Sequence, residues 1–562
     1  MGGRGKTVMV LGLIACLVFA LVYYGIRLTA DFGKTDTQIT AEDAAKRLDR
    51  LYGDIRVTVE PTVKGSIDLD PAEVGDTLPD ISKFPVSVTN STDSYVEIFS
   101  STEKSGTGND GWLNEVAEAF NAAGIEVDGK TVSVRIRNIA SGTATDYIRS
   151  GKYMPDAFTP SNELWGEMVR AHGVGAEMIA SRLTGNVAGI VTSKSKYEEL
   201  IGKYGALNVK TLTDAIAAGE LAMGYTDPFA SSTGLNFLVT ALETFDHSNL
   251  LGEKAVQGFE RFQEGVPFIA STTLQMREAA KTGMLDAFVL EYQTFQNSAD
   301  LQSGYVFTPF GFRHDSPLYA IGDVSPEKKE IMRRFAEFAA GAEYQRLAGE
   351  KGFNGLDDYR PELSAVDGNT LTAAQKLWKE KKNGSKPIAA VFVADVSGSM
   401  DGEPLHRLKE SLLSGQKYLG RENSIGFVSY SDDVSIRLPI GRYDANQQSM
   451  FVGAVNSLTA GGGTATFDGI VVAMKMLQDE LAANPDVKPV VFVLSDGETN
   501  EGHSLNDIRG LIETFEIPVY TIGYNANIKA LQSISGINEA ASINADTEDV
   551  VYKIGQLLNV QM

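Results

Sequence analysis

The run Val391-Phe392-Val393-Ala394-Asp395-Val396-Ser397-Gly398-Ser399-Met400 sets one aspartate and two serines at alternate positions, directly behind an unbroken apolar stretch. No other feature constrains the fold as tightly. Ile388 to Ala394 shows no polar alternation, the mark of a strand buried on both faces of a parallel sheet. Open α/β sheets place ligand sites at the carboxyl ends of such strands. Beyond the loop, Leu405, Leu408 and Leu412, with Leu419 two turns on, keep helical spacing. Asp-x-Ser-x-Ser therefore occupies a strand-to-helix turn.

The residue types suit a hard cation. Mg²⁺ takes an octahedron of oxygens at about 2.0–2.1 Å and gives up its waters reluctantly. Two hydroxyls from one tight turn supply neighbouring corners, and Asp395 supplies charge, directly or through water. Two downstream segments complete the set. Gly461-Gly462-Gly463-Thr464-Ala465-Thr466 is a glycine-rich loop entering a helix, where Thr464 brings a third hydroxyl. Val490 to Leu494 is a second apolar strand, which ends at Ser495-Asp496-Gly497 and places Asp496 at the mouth of the same sheet.

On these residues the segment from about 387 to 562 resembles a von Willebrand factor type A domain, with Ser424 to Tyr430 and Ile517 to Gly523 as further strands. The resemblance implies a Rossmann-like domain, a central and mostly parallel sheet flanked by helices. It implies that Ser397, Ser399 and Thr464 bind Mg²⁺ (or Mn²⁺ or Ca²⁺) directly, with Asp395 and Asp496 acting largely through water. A carboxylate from a protein partner completes the coordination in that family.

At the other end, Val8 to Ile26 is an almost unbroken apolar run, close to the roughly 20 residues a bilayer core requires. Arg4 and Lys6 precede it and Tyr23 and Tyr24 lie near its far end, so the amino terminus is expected to stay cytoplasmic. Residues 1–27 are expected to form an uncleaved signal anchor, one transmembrane helix with the bulk of the chain extracytoplasmic. The alternative is a lipoprotein anchored at Cys16, because Leu13-Ile14-Ala15-Cys16 fits a lipoprotein processing box. Cys16 is the single cysteine, so no intramolecular disulfide can form. An excess of 73 acidic over 50 basic residues argues against nucleic acid as a partner.

Residues 28–92 read as a juxtamembrane stalk, with a short helix around Ala41 to Tyr52 and an extended segment Ile55-Arg56-Val57-Thr58-Val59. From 93 to 370 strands and helices alternate. Tyr95 to Phe99, Val132 to Ile136, Pro155 to Ser161, Asn186 to Lys194 and Thr226 to Gly234 carry a resemblance to bacterial extracellular solute-binding proteins. It implies an α/β, two-lobed periplasmic-binding-protein-like domain hinged about a cleft. Ser100, Ser101, Ser141, Thr143, Ser161, Ser232 and Thr233 fall at expected strand-to-helix turns. There they serve equally as helix N-caps or as the lining of an anion-friendly cleft for a small molecule. Glu291, after the strand Ala287 to Leu290, lines that cleft or ends the strand. Residues 371–386 read as a helix and a hydrophilic linker.

Catalysis finds no motif. The five histidines, His172, His247, His314, His406 and His503, show no zinc spacing, and no P-loop or nucleophile elbow is present. The expected function is therefore non-enzymatic: a membrane-anchored extracytoplasmic protein that grips a protein partner through a metal and carries a second, solute-binding-like module. The alternatives are a solute-capture or sensing component, and an auxiliary subunit of a membrane transporter or channel. Tandem modules also raise coupling, in which closure of the cleft reorients the metal domain.

Overall fold

Eight consecutive buried residues, Ile388–Asp395, form the central strand of a seven-stranded sheet. The computed structural model describes residues 40–66, 77–266, 268–270, 276, 285–361, 363–383, 386–497, 499–524, 542–545 and 550–562. Ser424–Tyr430 and Lys488–Ser495 flank the central strand in parallel, and the register brings Phe392 level with Phe427 and Phe492. Val519–Tyr524 and Ser542–Ala545 extend one side in parallel, while Val434–Arg442 adds an antiparallel strand on the other. Successive side chains of a strand point to opposite faces. Ala390, Phe392 and Ala394 accordingly join one core with Leu405, Leu408 and Leu412 of helix Glu403–Gly415 and with Ile554, Leu557 and Leu558 of helix Val550–Gln561. Ala389, Val391 and Val393 join another with helices Thr466–Ala483 and Leu505–Phe515.

The expected stalk over 28–92 is corrected for its described residues. Helix Ala41–Asp54 buries Ala44, Leu48 and Leu51, one face at i, i+4 and i+7, in that second core. Val57–Val59 then pairs in parallel with Val434–Ile436 as the outermost strand of the seven-stranded sheet. Local patterning could not reveal this, because the partner of these residues lies some 380 positions away. Further on, Val86–Val88 pairs with Ser133–Asn138, and Tyr147 donates its hydroxyl to Pro79 O at 2.6 Å. That part belongs to the first lobe of the next domain. The expected membrane segment Val8 to Ile26, with Cys16, lies outside the described residues. No described helix is long and apolar enough to cross a membrane.

Two large sheets, one to each lobe, build the solute-binding-like domain, with a small hairpin of Glu126–Val127 and Lys130–Thr131 beside the first. The first lobe holds strands Val86–Val88, Ser133–Asn138, Tyr95–Ser100, Ala157–Thr159, Leu318–Ile321 and Ala176–Ala180, in that spatial order. The second holds Phe268–Ala270, Met223–Thr226, Ala287–Glu291, Val187–Ser193 and Tyr305–Arg313. The chain crosses between lobes at 181–186 and 314–317. These crossings are tied by Leu183 N to Ser316 O at 3.1 Å and His314 N to Asn186 O at 2.9 Å.

The expected solvated linker over 371–386 is also corrected. Its helix, Gly368–Lys381, buries Leu371 in the first lobe's core and Ala374 and Trp378 in the second's. Trp378 Nε1 donates to Tyr225 Oη at 2.7 Å and Gln375 Nε2 to Pro228 O at 2.8 Å. Two of the lysines that make the stretch look hydrophilic are engaged with the C-terminal helix. Lys379 Nζ donates to Asn559 O at 2.8 Å, and Lys382 Nζ donates to Val560 O. Two amines thus meet the carbonyl end of that helix, where the helix dipole favours positive charge, while burial lowers both from the usual lysine range, Lys379 to about 7.

Candidate functional site

Asp395 is the last residue of the central strand, and its carboxylate is fully buried. Ser397 N donates to Oδ1 at 2.8 Å and Ser495 Oγ to Oδ2 at 2.6 Å, which turns the loop back over the strand end. Ser397 Oγ and Ser399 Oγ lie 3.0 Å apart, and Ser399 Oγ donates to Asp496 Oδ1 at 2.9 Å. The glycine-rich loop is clipped alongside by Gly398 N to Gly462 O at 2.9 Å and Gly461 N to Val396 O at 2.8 Å. Gly462 adopts φ +86°, and a Cβ there would fall 2.3 Å from Asp432 Oδ2, so only glycine fits. Thr464 is held through its backbone by Asn500 Oδ1 at 2.9 Å. Its hydroxyl has no protein partner among the described residues.

This arrangement concentrates negative charge without a counter-charge. Among the described residues neither Asp395 nor Asp496 pairs with a lysine, arginine or histidine. Burial pushes the Asp395 carboxyl above the usual carboxylate range and the charge of Asp496 pushes the same way, against hydrogen bonds from Ser495 and Ser397. Behind the loop the Tyr430 hydroxyl and Thr466 Oγ1 are buried without a protein hydrogen-bond partner among the described residues. Two carboxylates and three hydroxyls form a hard-oxygen set that fits Mg²⁺. No cluster of three or more His, Cys, Asp or Glu able to hold a metal exists among the described residues. The hydroxyl-rich donor set is of a different kind.

The second candidate site is a cavity of about 120 Å³ between the two lobes. Of the residues expected there, Ser101, Ser141, Ser161 and Ser232 line it. Ser100 does not, and its hydroxyl is buried without a partner among the described residues. Thr233 reaches the back of Glu291 instead, at 3.4 Å from Oε1. Thr143 faces away, taking a hydrogen bond from Tyr552 Oη of the C-terminal helix at 3.1 Å. The lobes meet around the cavity: Gly142 N donates to Ala230 O at 3.3 Å, Trp165 Nε1 to Ser232 Oγ at 2.8 Å and Gln293 Nε2 to Asp110 Oδ1 at 3.0 Å.

The expected anion-friendly character is corrected by the lining. Glu103 and Asp110 of the first lobe and Glu291 of the second all line the cavity. Ser161 Oγ donates to Glu103 Oε1 at 2.8 Å, and Lys104 Nζ lies 3.5 Å from the same oxygen. Burial opposes the Glu103 charge, but Lys104 and the two serine hydroxyls hold its carboxyl below the usual range. Glu291 is 3% exposed. His314 Nδ1 donates to its Oε1 at 2.7 Å and Asn186 Nδ2 to Oε2 at 3.1 Å. Burial, then Glu103, pushes the Glu291 carboxyl up. Spacing gave no sign of Glu103 or Asp110, since each is one charged residue in a turn already rich in serine, threonine and glycine.

Residues 390–556 match the von Willebrand factor type A domain family, and residues 105–354 match the bacterial extracellular solute-binding protein family. The chain therefore contains both domains, which are typically non-enzymatic binding modules. An uncharacterized protein of Synechocystis is 26% identical over 140 residues, 25% of this chain and 32% of that protein. The human inter-alpha-trypsin inhibitor heavy chain H3 is 29% identical over 153 residues, 25% of this chain and 17% of that protein. The chain thus spans a third or less of the length of these curated relatives. Among solved structures, a von Willebrand factor type A protein from Catenulispora acidiphila is 19% identical, covering 31% of this chain and 42% of that chain with a TM-score of 0.29. A periplasmic thiamin binding protein is 10% identical, covering 52% and 99% with a TM-score of 0.39.

Proposed function

We propose that this chain is a membrane-anchored extracytoplasmic binding protein that engages a protein partner through Mg²⁺ and captures a small solute between its lobes. One observation carries the metal reading. Asp395 and Asp496 converge with two serine hydroxyls at the carboxyl end of the central strand, and no basic side chain among the described residues balances them. Ser397, Ser399 and Thr464 would hold the ion, with Asp395 and Asp496 oriented to act through water. When bound, the ion offers an open position to a carboxylate from another protein. The anchor is assigned to residues 8–26, with residues 28 onward outside the cytoplasm.

Solute capture as a principal role is favoured by the cavity where the lobes meet, with serine hydroxyls and carboxylates in its lining. The partner reading is tested by purifying the protein from native membranes with and without chelator. Co-purifying proteins that vanish with chelator and with Asp395→Ala are expected. The same proteins retained under both conditions would remove metal-dependent docking.

A further inference from the structure

Resting on the solute-cleft reading, we propose that the interlobe cavity takes a small primary ammonium compound, R–NH₃⁺, and turns away oxyanions. Glu103 from one lobe and Glu291 from the other face one chamber of about 120 Å³. Among the described residues no lysine, arginine or histidine lines it. The neighbouring cation, Lys104, sits behind the lining, 3.5 Å from Glu103 Oε1, and balances one of the two carboxylates. Its ammonium has three hydrogens, and they go to Ser101 Oγ, Thr159 O at 2.9 Å and Pro160 O at 3.3 Å. Every protein partner of Glu103 sits on Oε1, so Oε2 has none among the described residues.

Glu291, by contrast, has no balancing cation of its own among the described residues. The orientation of Asn236 is set by Phe312, whose N–H donates to Oδ1 and whose carbonyl accepts from Nδ2, both at 2.8 Å. Its amide nitrogen therefore faces His314 Nε2, at 3.1 Å, and Nε2 accepts. The ring proton then sits on Nδ1, pointing at Glu291. A buried carboxylate is either paired or neutralised by a proton, and an ammonium group in the cavity would pair with Glu291 and with the open Oε2 of Glu103.

The lining narrows which cation fits. A quaternary ammonium is held by aromatic faces, yet serine, threonine and alanine surround the acids here and no ring lines the cavity among the described residues. An NH₃⁺ group has donors for both carboxylates and for the serine hydroxyls between them. The volume lies well below the roughly 300–1,000 Å³ of pockets for drug-sized ligands, so the amine is small.

The test is calorimetric titration of the full chain with ethanolamine, tetramethylammonium, sulfate, molybdate and a neutral sugar. Ethanolamine alone is expected to bind, and Glu103→Gln and Glu291→Gln should each weaken it about tenfold or more, the loss of one charge-assisted hydrogen bond. Glu103→Gln stays decisive should the more buried Glu291→Gln fail to fold. Tetramethylammonium binding as well as ethanolamine would overturn the N–H requirement. Binding of sulfate, molybdate or the sugar, unchanged in both variants, would leave the cleft reading standing and remove the ammonium. Failure of every probe to bind would remove the cleft reading, and this proposal with it.

Discussion

Gly142 sits in the first turn of helix Ser141–Ser150, where the two lobes touch, and Gly142→Ala should pry them apart. An ideal Cβ at this position falls 2.1 Å from Phe229 O, 2.7 Å from Ala230 Cα and 3.0 Å from Ala230 O. These are backbone atoms, so no side chain can swing aside, and the nearest contact is short by about an ångström. Overpacking of this kind costs about 1–3 kcal/mol. Loss of the hydrogen bond from Gly142 N to Ala230 O adds about 0.5–1.5 kcal/mol. The gain in helix propensity cancels, because the helix is formed with the lobes open or closed. The penalty of about 1.5–4.5 kcal/mol falls on the closed arrangement alone, shifting the balance toward open lobes by about 10- to 2,000-fold. Small-angle scattering should show a larger radius of gyration, and solute affinity should fall by the same factor. Gly202→Ala is the matched control, because nothing lies within 4 Å of its Cβ, in the helix Lys194–Tyr204. It should stabilise by about 1 kcal/mol. If Gly142→Ala stabilised likewise and left scattering unchanged, the lobes would not meet as described.

Further consequences concern the elements that join the units. Trp378→Ala empties a fully buried site between lobe and linking helix and should cost about 3–5 kcal/mol in chemical denaturation; a loss under about 1 kcal/mol would return the helix to solvent. Burial raises the Asp227 carboxyl from 3.8 to about 7, although Lys382 and Lys379 pull it down. Between those values the native state holds the extra proton, so this group's contribution to stability is full below pH 3.8 and is lost as pH rises toward 7. Asp227→Asn should flatten that part of a melting-temperature profile, and an unchanged slope would refute the assignment. Tyr552→Phe removes the hydrogen bond from the C-terminal helix to Thr143, so amide exchange in Ser141–Ser150 should speed up while Ile388–Asp395 stays protected. Equal exchange before and after would sever the structural tie between the von Willebrand factor type A domain and the cleft.

The convergence of Asp395, Ser397, Ser399 and Asp496 was legible because its pattern is local. Asp395, Ser397 and Ser399 share one turn, and Thr464 and Asp496 each follow a pattern that needs only one strand or one loop to interpret. The two-lobed domain was legible from alternation of strands and helices, but its ligand chemistry was not. Serines at turns look alike whether they cap helices or face a cavity, and Thr143 and Ser141, two residues apart, face different neighbours. The segment read as a stalk misled because a three-residue strand declares nothing until its partner at Val434–Ile436 is known. The linking helix is the instructive miss. Leu371, Ala374 and Trp378 form an apolar stripe at i, i+3 and i+7, which is readable in the chain, yet the lysine run beside it drew the reading toward solvent. Lys379 and Lys382 of that run are the groups that meet the end of the C-terminal helix.

The central claim is a cation held by hydroxyls and carboxylates at the carboxyl end of the central strand. Titration of Mn²⁺ into the metal-stripped full chain, followed by the loss of its free-ion paramagnetic resonance signal, tests this most directly. One site is predicted, displaced by Mg²⁺ and absent in both Asp395→Ala and Ser397→Ala, while the unmutated interlobe cavity keeps its solute affinity. Undiminished Mn²⁺ binding in those two variants would place the ion elsewhere and contradict the account.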